Sequence, residues 1–192
     1  MIKRIFDIAF VILIFPLLAP FILITCLTNL IFLGKPVFFI HKRSGLNAKK
    51  ISIIKFRTMK YFNQKEKSIS KYGLFLRKTK LDELPQIFNL IKGDLTIVGP
   101  RPLYMEYNKL FSKKHKLRLS LKPGITGWAQ VNEYNDISWK EKFDLDIWYY
   151  YNKSIFIDLL IILKTLKKII KSFFNKNQFS KKMTKFKGYK YE

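Results

Sequence analysis

The sequence predicts an α+β fold, mainly helical: an N-terminal re-entrant membrane helix, then a small cytoplasmic domain with amphipathic interfacial helices and a short β-hairpin. Three observations predict it. Residues Ile8 to Leu33 form a run of 26 residues without a charge. Downstream, apolar residues recur at helical spacing in several segments. Before them, two short β-rich stretches flank a Ser44-Gly45-Leu46-Asn47 turn. A length of 192 residues suits one core, and 48% hydrophobic residues with 18 Phe exclude global disorder. The lone Cys26 excludes a disulfide scaffold. Residues 1–34 are expected to be the membrane helix, 35–174 the folded domain, and 175–192 a basic, disordered tail.

As one straight helix, the uncharged run would reach about 39 Å at ~1.5 Å per residue, beyond the ~30 Å hydrocarbon core. It is too long for a signal peptide, and no small-x-small cleavage site follows it. Pro16 and Pro20 near its centre each remove a helix hydrogen bond and bend the chain. Lys3 and Arg4 precede it, and Lys35, Lys42 and Arg43 follow, which places both ends on the cytoplasmic face. A helix bent at the prolines, entering one leaflet and returning, satisfies both facts. A kinked single span is the alternative.

Val37–Ile40 and Ile51–Phe56 read as strands, and residues 60–71, polar and aperiodic, as a loop. Leu74–Lys78 reads as a short helix. A second helix begins near Asp82, with Leu84, Ile87, Phe88 and Ile91 on one face, and stops at Gly93. Leu95–Val98 reads as a strand ending in the stiff Gly99-Pro100-Arg101-Pro102 loop. Leu103–Leu119 has helical spacing, with Leu103, Tyr107, Leu110, Phe111 and Leu117 inward. Pro123–Gly127 reads as a turn or loop. Ser138 and Glu141 form a capping box that opens an aromatic helix to about Tyr151. Ile155–Phe174 is a further helix with Lys164, Lys167, Lys168 and Lys171 on its polar edge. It suits either an anionic membrane surface or a core with a solvated lysine edge.

The 37 Lys+Arg against 13 Asp+Glu give a net charge of +24, which needs an anionic partner: nucleic acid, anionic lipid or a phosphorylated substrate. Among so few acids, Asp82-Glu83 stands out. Pro85 is tolerated only in a helix's first turn, so the helix must begin close to this pair, at a positive dipole end. Arg77, Lys78 and Lys80 lie just upstream. Carboxylates beside cations and a phosphate-binding helix end can hold Mg²⁺ bridged to a pyrophosphate. An ionised Asp there could also attack phosphorus. Plain helix capping is the simpler account of the pair taken alone. Arg101, between two prolines, is a second phosphate candidate, because guanidinium grips phosphate at two points. Lys55, Arg57 and Lys60 add positive charge. His41 and His115 show no zinc spacing and suit surface or packing roles. There is no Walker P-loop, dinucleotide glycine fingerprint or G-x-S-x-G elbow.

In order along the chain, Lys55-Phe56-Arg57-Thr58-Met59, Leu81-Asp82-Glu83-Leu84-Pro85-Gln86, Lys92-Gly93-Asp94, Val98-Gly99-Pro100-Arg101-Pro102 and Lys122-Pro123-Gly124-Ile125-Thr126-Gly127 resemble the small monotopic phosphoglycosyl transferases of the bacterial sugar transferase family. The resemblance runs from Lys3 to near Phe174, and the chain looks like the family's minimal catalytic form. It implies that 35–174 is a catalytic domain at the cytoplasmic face of the bacterial inner membrane. Such a domain moves a sugar 1-phosphate from a UDP-sugar to undecaprenyl phosphate with Mg²⁺, releasing UMP and starting a surface glycan. It implies Asp82 as nucleophile, forming a covalent phosphosugar intermediate, and Glu83 as metal ligand or proton acceptor. It also implies Arg101 as a phosphate holder, with Asp146 and Tyr149 near the site. Lys55 and Arg77 are the further candidates for binding phosphate, Asp82 and Glu83 the candidates for metal, and anionic membrane lipids a further partner. Two departures stand out: Ala19-Pro20 where the family commonly has Ser-Pro, and His41 where it commonly has glutamine. Rival readings are a basic nucleic-acid binder, which leaves the uncharged run unexplained, and a non-catalytic membrane scaffold.

Overall fold

The computed structural model describes residues 2–63, 66–133, 137–174 and 185–189. The chain divides into two compact units, Met1–His41 with Ser52–Gly93, and Lys42–Ile51 with Asp94–Glu192. Most of it is helical, with three two-stranded pairings.

In the first unit, α1 (Ile2–Leu33) is a single helix with Pro16 and Pro20 inside it. It is long and apolar enough to cross a membrane. Its polarity is inverted relative to a water-soluble helix. Asp7, Thr25 and Asn29 are buried, whereas Ile12, Leu13, Leu17, Leu23 and Ile31 are exposed. A contiguous apolar surface of this kind needs a non-aqueous neighbour. Both ends of α1 are tied to polar groups of the same unit. Arg4 donates to the carbonyls of Leu90 and Ile91. At the other end Asn29 donates to the Arg57 carbonyl at 2.8 Å, and the Arg57 guanidinium binds the carbonyls of Leu33 and Gly34. These carbonyls end the helix and have no partner within it.

Strand β1 (Phe38–Ser44) pairs with β2 (Lys50–Phe56). The turn between them passes through Leu46–Ala48, with Asn47 and Ala48 at positive φ. The loop expected over 60–71 is instead largely a hairpin. Strand β3 (Met59–Asn63) pairs antiparallel with β4 (Glu66–Ile69), Lys60 opposite Ser68; residues 64 and 65 lie outside the described residues. Its sequence has no apolar alternation, so the backbone ladder leaves no periodic mark. Helix α2 (Lys71–Thr79) starts on Ser70, whose hydroxyl accepts from Gly73 N at 2.9 Å. Gly73 lies flat on Thr58, where a Cβ would sit 1.9 Å from the Thr58 carbonyl oxygen. Helix α3 (Gln86–Lys92) ends at Gly93, as expected, but begins later than the sequence suggests. Asp82 and Glu83 lie in a separate 3-10 turn, Leu81–Glu83. The inward face of α3 carries Ile87, Asn89 and Leu90, while Phe88 and Ile91 are exposed. Asn89 explains that rotation: its side chain accepts from Ile54 N at 3.0 Å and donates to Ser52 O at 2.7 Å, docking α3 on β2.

In the second unit, β5 (Thr96–Val98) pairs in parallel with β6 (Gly124–Thr126). The stretch expected to be a turn is therefore a strand. Its glycines permit the approach: a Cβ on Gly124 would lie 2.1 Å from Gly99 N. The expected helix Leu103–Leu119 is replaced by two 3-10 segments, Met105–Lys109 and His115–Ser120. Leu103, Tyr107 and Phe111 are inward as expected, but Leu110 is exposed, and His115 and Arg118 are buried. The inward positions keep a helix-like spacing, but the backbone closes only in the two short 3-10 segments. Helices α4 (Trp128–Asn132) and α5 (Trp139–Asn152) follow, the latter opened by the full Ser138–Glu141 capping box. Helix α6 (Ile155–Phe174) matches its expected span. Its lysines do not simply face water: Lys164 donates to Asn132 Oδ1 at 2.9 Å and Lys168 to Gln130 O at 2.8 Å. Phe156, Leu159, Leu163, Leu166 and Ile170 are exposed alongside Lys167, Lys168 and Lys171.

Of the tail expected to be disordered from Asn175, residues 175–184 and 190–192 lie outside the described residues. Within 185–189, Phe186 and Tyr189 pack into the second unit while Lys185 and Lys187 are exposed, a packing the lysine-rich sequence conceals. Phe186 is 3% exposed and completes the cluster of Leu103, Tyr107, Phe111 and Phe143. Its N–H donates to Tyr107 Oη at 3.1 Å, and Tyr189 Oη lies 2.6 Å from His115 Nδ1. Phe186→Ala should therefore destabilise the protein by about 3 kcal/mol or more, the usual cost of emptying an aromatic core position. Thermal melting in detergent checks this, and an unchanged midpoint would refute the packing role.

Candidate active site

The 3-10 turn Leu81–Glu83 hangs between α2, whose left-handed cap Lys80 has φ 62°, and Pro85, which precedes α3. Lys80 reverses the chain, and Pro85 cannot donate a backbone hydrogen bond, so the acidic pair is held in a tight bend. The α-helix starts at Gln86, so the two carboxylates do not sit in its first turn, as the dipole argument required. Their setting is made by side chains instead. Lys55 on β2 is ion-paired with Glu83, each side chain about a quarter exposed at 24% and 27%. Arg77 on α2 donates through Nε to Thr58 Oγ1 at 3.0 Å.

Asp82 is 7% exposed, and its Oδ1 is buried without a hydrogen-bond partner among the described residues. Burial pushes its carboxyl up from the ordinary 3.8 to about 6, and the neighbouring Glu83 charge adds to this. Lys55, Lys80 and Arg77 pull the other way. The turn thus holds a carboxyl whose Oδ1 has no hydrogen-bond partner among the described residues, with Lys55, Lys80 and Arg77 acting on its charge. Such an oxygen can take a cation or attack an electrophile. The donor set fits a magnesium ion, which takes one or two carboxylates and completes its shell with phosphate and water oxygens. Among the described residues no group of three or more His, Cys, Asp or Glu forms an all-protein cage.

Four of the expected site residues, Asp82, Glu83, Lys55 and Arg77, are therefore neighbours in the first unit. Arg57, counted with them by charge, is a buried helix cap. The remaining three belong to the second unit. Arg101 is exposed on the Gly99–Pro102 loop. Asp146 on α5 is buried and ion-paired at 2.9 Å with Arg118, a residue the sequence did not mark. Burial pushes the Asp146 carboxyl up, against the pull of Arg118. Tyr149 is 1% exposed, and its hydroxyl donates to Asp158 and, at 3.4 Å, to Val98 O. Asp146 Oδ2 and the Tyr149 hydroxyl are thus both engaged within the second unit. Arg118 left no sequence signal, since its partner is 28 residues away and its spacing matched no motif.

Residues 1–172 match the bacterial sugar transferase family. The chain is 44% identical over 177 residues to the uncharacterized sugar transferase EpsL of Bacillus subtilis, covering 88% of each chain. It is 35% identical to the UDP-glucose:undecaprenyl-phosphate glucose-1-phosphate transferase of Escherichia coli, over 92% of this chain and 41% of that one. It is 32% identical to the UDP-N-acetylgalactosamine-undecaprenyl-phosphate N-acetylgalactosaminephosphotransferase of Aeromonas hydrophila, over 90% of this chain and 44% of that one. The chain thus spans less than half the length of these last two relatives.

The raised carboxyl of Asp82 has a stability consequence. Its folded value lies above its unfolded one, so the stability it contributes is full below about pH 4 and lost as pH rises through about 6. Above pH 7, without added divalent cation, Asp82→Asn should stabilise the protein by up to about 3 kcal/mol at ~1.4 per pH unit. Below pH 4 the gain should vanish. Thermal melts of both proteins between pH 4 and 8 check this, and a gain that grows toward low pH would contradict it.

Proposed function

The chain belongs to the bacterial sugar transferase family, and on that premise we propose that it moves a sugar 1-phosphate from a UDP-sugar to undecaprenyl phosphate, releasing UMP. The product would begin a surface glycan on its lipid carrier. The observation that carries this reading is Asp82, buried with a vacant Oδ1 and surrounded by Lys55, Arg77 and Lys80. In the proposed reaction the Asp82 carboxylate attacks the phosphorus that bears the sugar. The bond from that phosphorus to the oxygen bridging it to UMP breaks, and UMP leaves with the electron pair. The resulting acyl phosphate carries the sugar. An oxygen of undecaprenyl phosphate then attacks the same phosphorus, and the Asp82 carboxylate is released.

Lys55 and Arg77 balance the negative charge gathered around Asp82, and Arg101 offers a two-point grip for phosphate. Asp82 and Glu83 would hold magnesium, which would supply charge neutralisation for the pyrophosphate. Glu83 is already paired with Lys55, so it also keeps that lysine beside the turn. The sugar itself stays open, because the two named relatives use different ones.

We place the enzyme at the cytoplasmic face of the bacterial inner membrane, with α1 entering one leaflet and returning. The inverted polarity of α1 supports membrane contact, as do the exposed apolar residues of α6 beside its lysine-rich edge. Arg4 and Asn29 support the return. They lie 25 residues apart on α1, about 38 Å if straight, yet both bond to elements of one unit that Asn89 joins together. A simple span would put those two side chains on opposite sides of the hydrocarbon.

The test of the reaction is a UDP-sugar labelled on the β-phosphate, given to the full chain without lipid acceptor and quenched by denaturation. Label should stay on the wild-type protein and be absent from Asp82→Asn, whose turnover should fall at least 1000-fold, on the order expected when a nucleophile is removed. Equal labelling of the two would eliminate Asp82 as nucleophile. For topology, single cysteines placed at position 2 and at position 109 in a Cys26→Ser background should both resist an impermeant reagent applied to intact cells. Reaction at position 2 alone would establish a span.

A further inference from the structure

The loop Gly99–Pro102 contains two prolines, which donate no backbone hydrogen bond; after Gly99 N, which donates to Thr126 O at 2.9 Å, it is held through carbonyls up to Leu103. Gly124 N donates to Pro100 O at 3.0 Å, Arg118 Nη2 to Arg101 O at 2.8 Å, and Ser44 N to Leu103 O at 2.9 Å. Two of these clamps are backbone groups. The third, on the residue whose side chain matters, is a guanidinium. Arg118 is 4% exposed, and its Nε and Nη2 both lie 2.9 Å from Asp146 Oδ2. Its charge also lies over the rings of Phe111, at 5.3 Å, and Phe143, at 5.6 Å. Burying an ion pair adds little to stability compared with apolar packing of the same volume. What this pair supplies is direction: Asp146 fixes the plane of the guanidinium, and the plane aims one N–H at the Arg101 carbonyl.

We propose that Arg118 and Asp146 are positioning residues for Arg101. The ion pair holds the Arg101 backbone so that its exposed guanidinium meets phosphate already placed. Asp146 then acts from beneath the loop and touches no substrate. This rests on the reading of Arg101 as a phosphate holder, and the test separates the two.

The experiment is a double-mutant cycle on the full chain in detergent, with UDP as the binding probe. Arg118→Lys keeps a charge for Asp146 but replaces the fork with a single nitrogen, which cannot hold both acceptors in the same geometry. It should weaken UDP binding about 5- to 20-fold and raise the KM for a UDP-sugar, with kcat changed less than about threefold. Arg101→Ala should weaken UDP binding at least as much, and adding Arg118→Lys to it should cost nothing further. If Arg118→Lys does not fold, Arg118→Met with Asp146→Leu removes the pair without leaving a buried charge, and the same cycle is run with it. Losses that add in full, or UDP binding unaffected by the variant at 118, would overturn the positioning role. UDP binding unaffected by Arg101→Ala would instead overturn the reading of Arg101 itself.

Discussion

The first unit depends on Arg57. Its guanidinium closes the end of α1 on the carbonyls of Leu33 and Gly34, its own carbonyl accepts from Asn29, and its N–H donates to Val37 O at 2.9 Å. A buried cation is costly unless its donors are used, and here the helix-end carbonyls of Leu33 and Gly34 accept from Nη2. The neighbours of Arg57 then carry that anchorage into the chemistry. Lys55 reaches Glu83, Phe56 is buried, and Thr58 receives both Gly73 and the Arg77 side chain. Four consecutive residues thus connect an apolar helix to the acidic turn.

The acidic turn itself is an unstable arrangement kept in place by its surroundings. A carboxylate oxygen buried without a protein partner is costly, and a second acid next to it adds repulsion. Lys55, Lys80 and Arg77 offset part of this without bonding to the vacant oxygen. That incomplete compensation leaves the Asp82 oxygen without a protein partner among the described residues, which is what the proposed nucleophile requires. A structure optimised only for stability would have satisfied it.

Some elements announce themselves through neighbouring residues, and others form only through distant partners. The capping box at Ser138–Glu141 and the span of α6 need only neighbouring residues, so both were legible. Strand β6 was not, because a Pro-Gly stretch becomes a strand only when β5 lies beside it. The face of α3 differs from its apolar spacing because Asn89, a polar residue, is the one that docks it. Phe186 lies in a lysine-rich stretch with no period, and its core partner Phe111 is far away in sequence. At the site, the Asp82-Glu83 pair was visible from its motif. The desolvation that tunes Asp82, and the pairing of Asp146 with Arg118, come from folding alone.

The approach of Gly99 and Gly124 bears on how such a chain can diversify. A first carbon on Gly124 would overlap Gly99 N at 2.1 Å, and one on Gly99 would lie 2.3 Å from Lys122 O. The obstacle at each glycine is backbone, so no change of a neighbouring side chain can make room, and single-step drift is closed at both. The frame beneath the Arg101 loop therefore resists change one residue at a time. New substrates must be accommodated by side chains elsewhere, on a support that cannot itself wander.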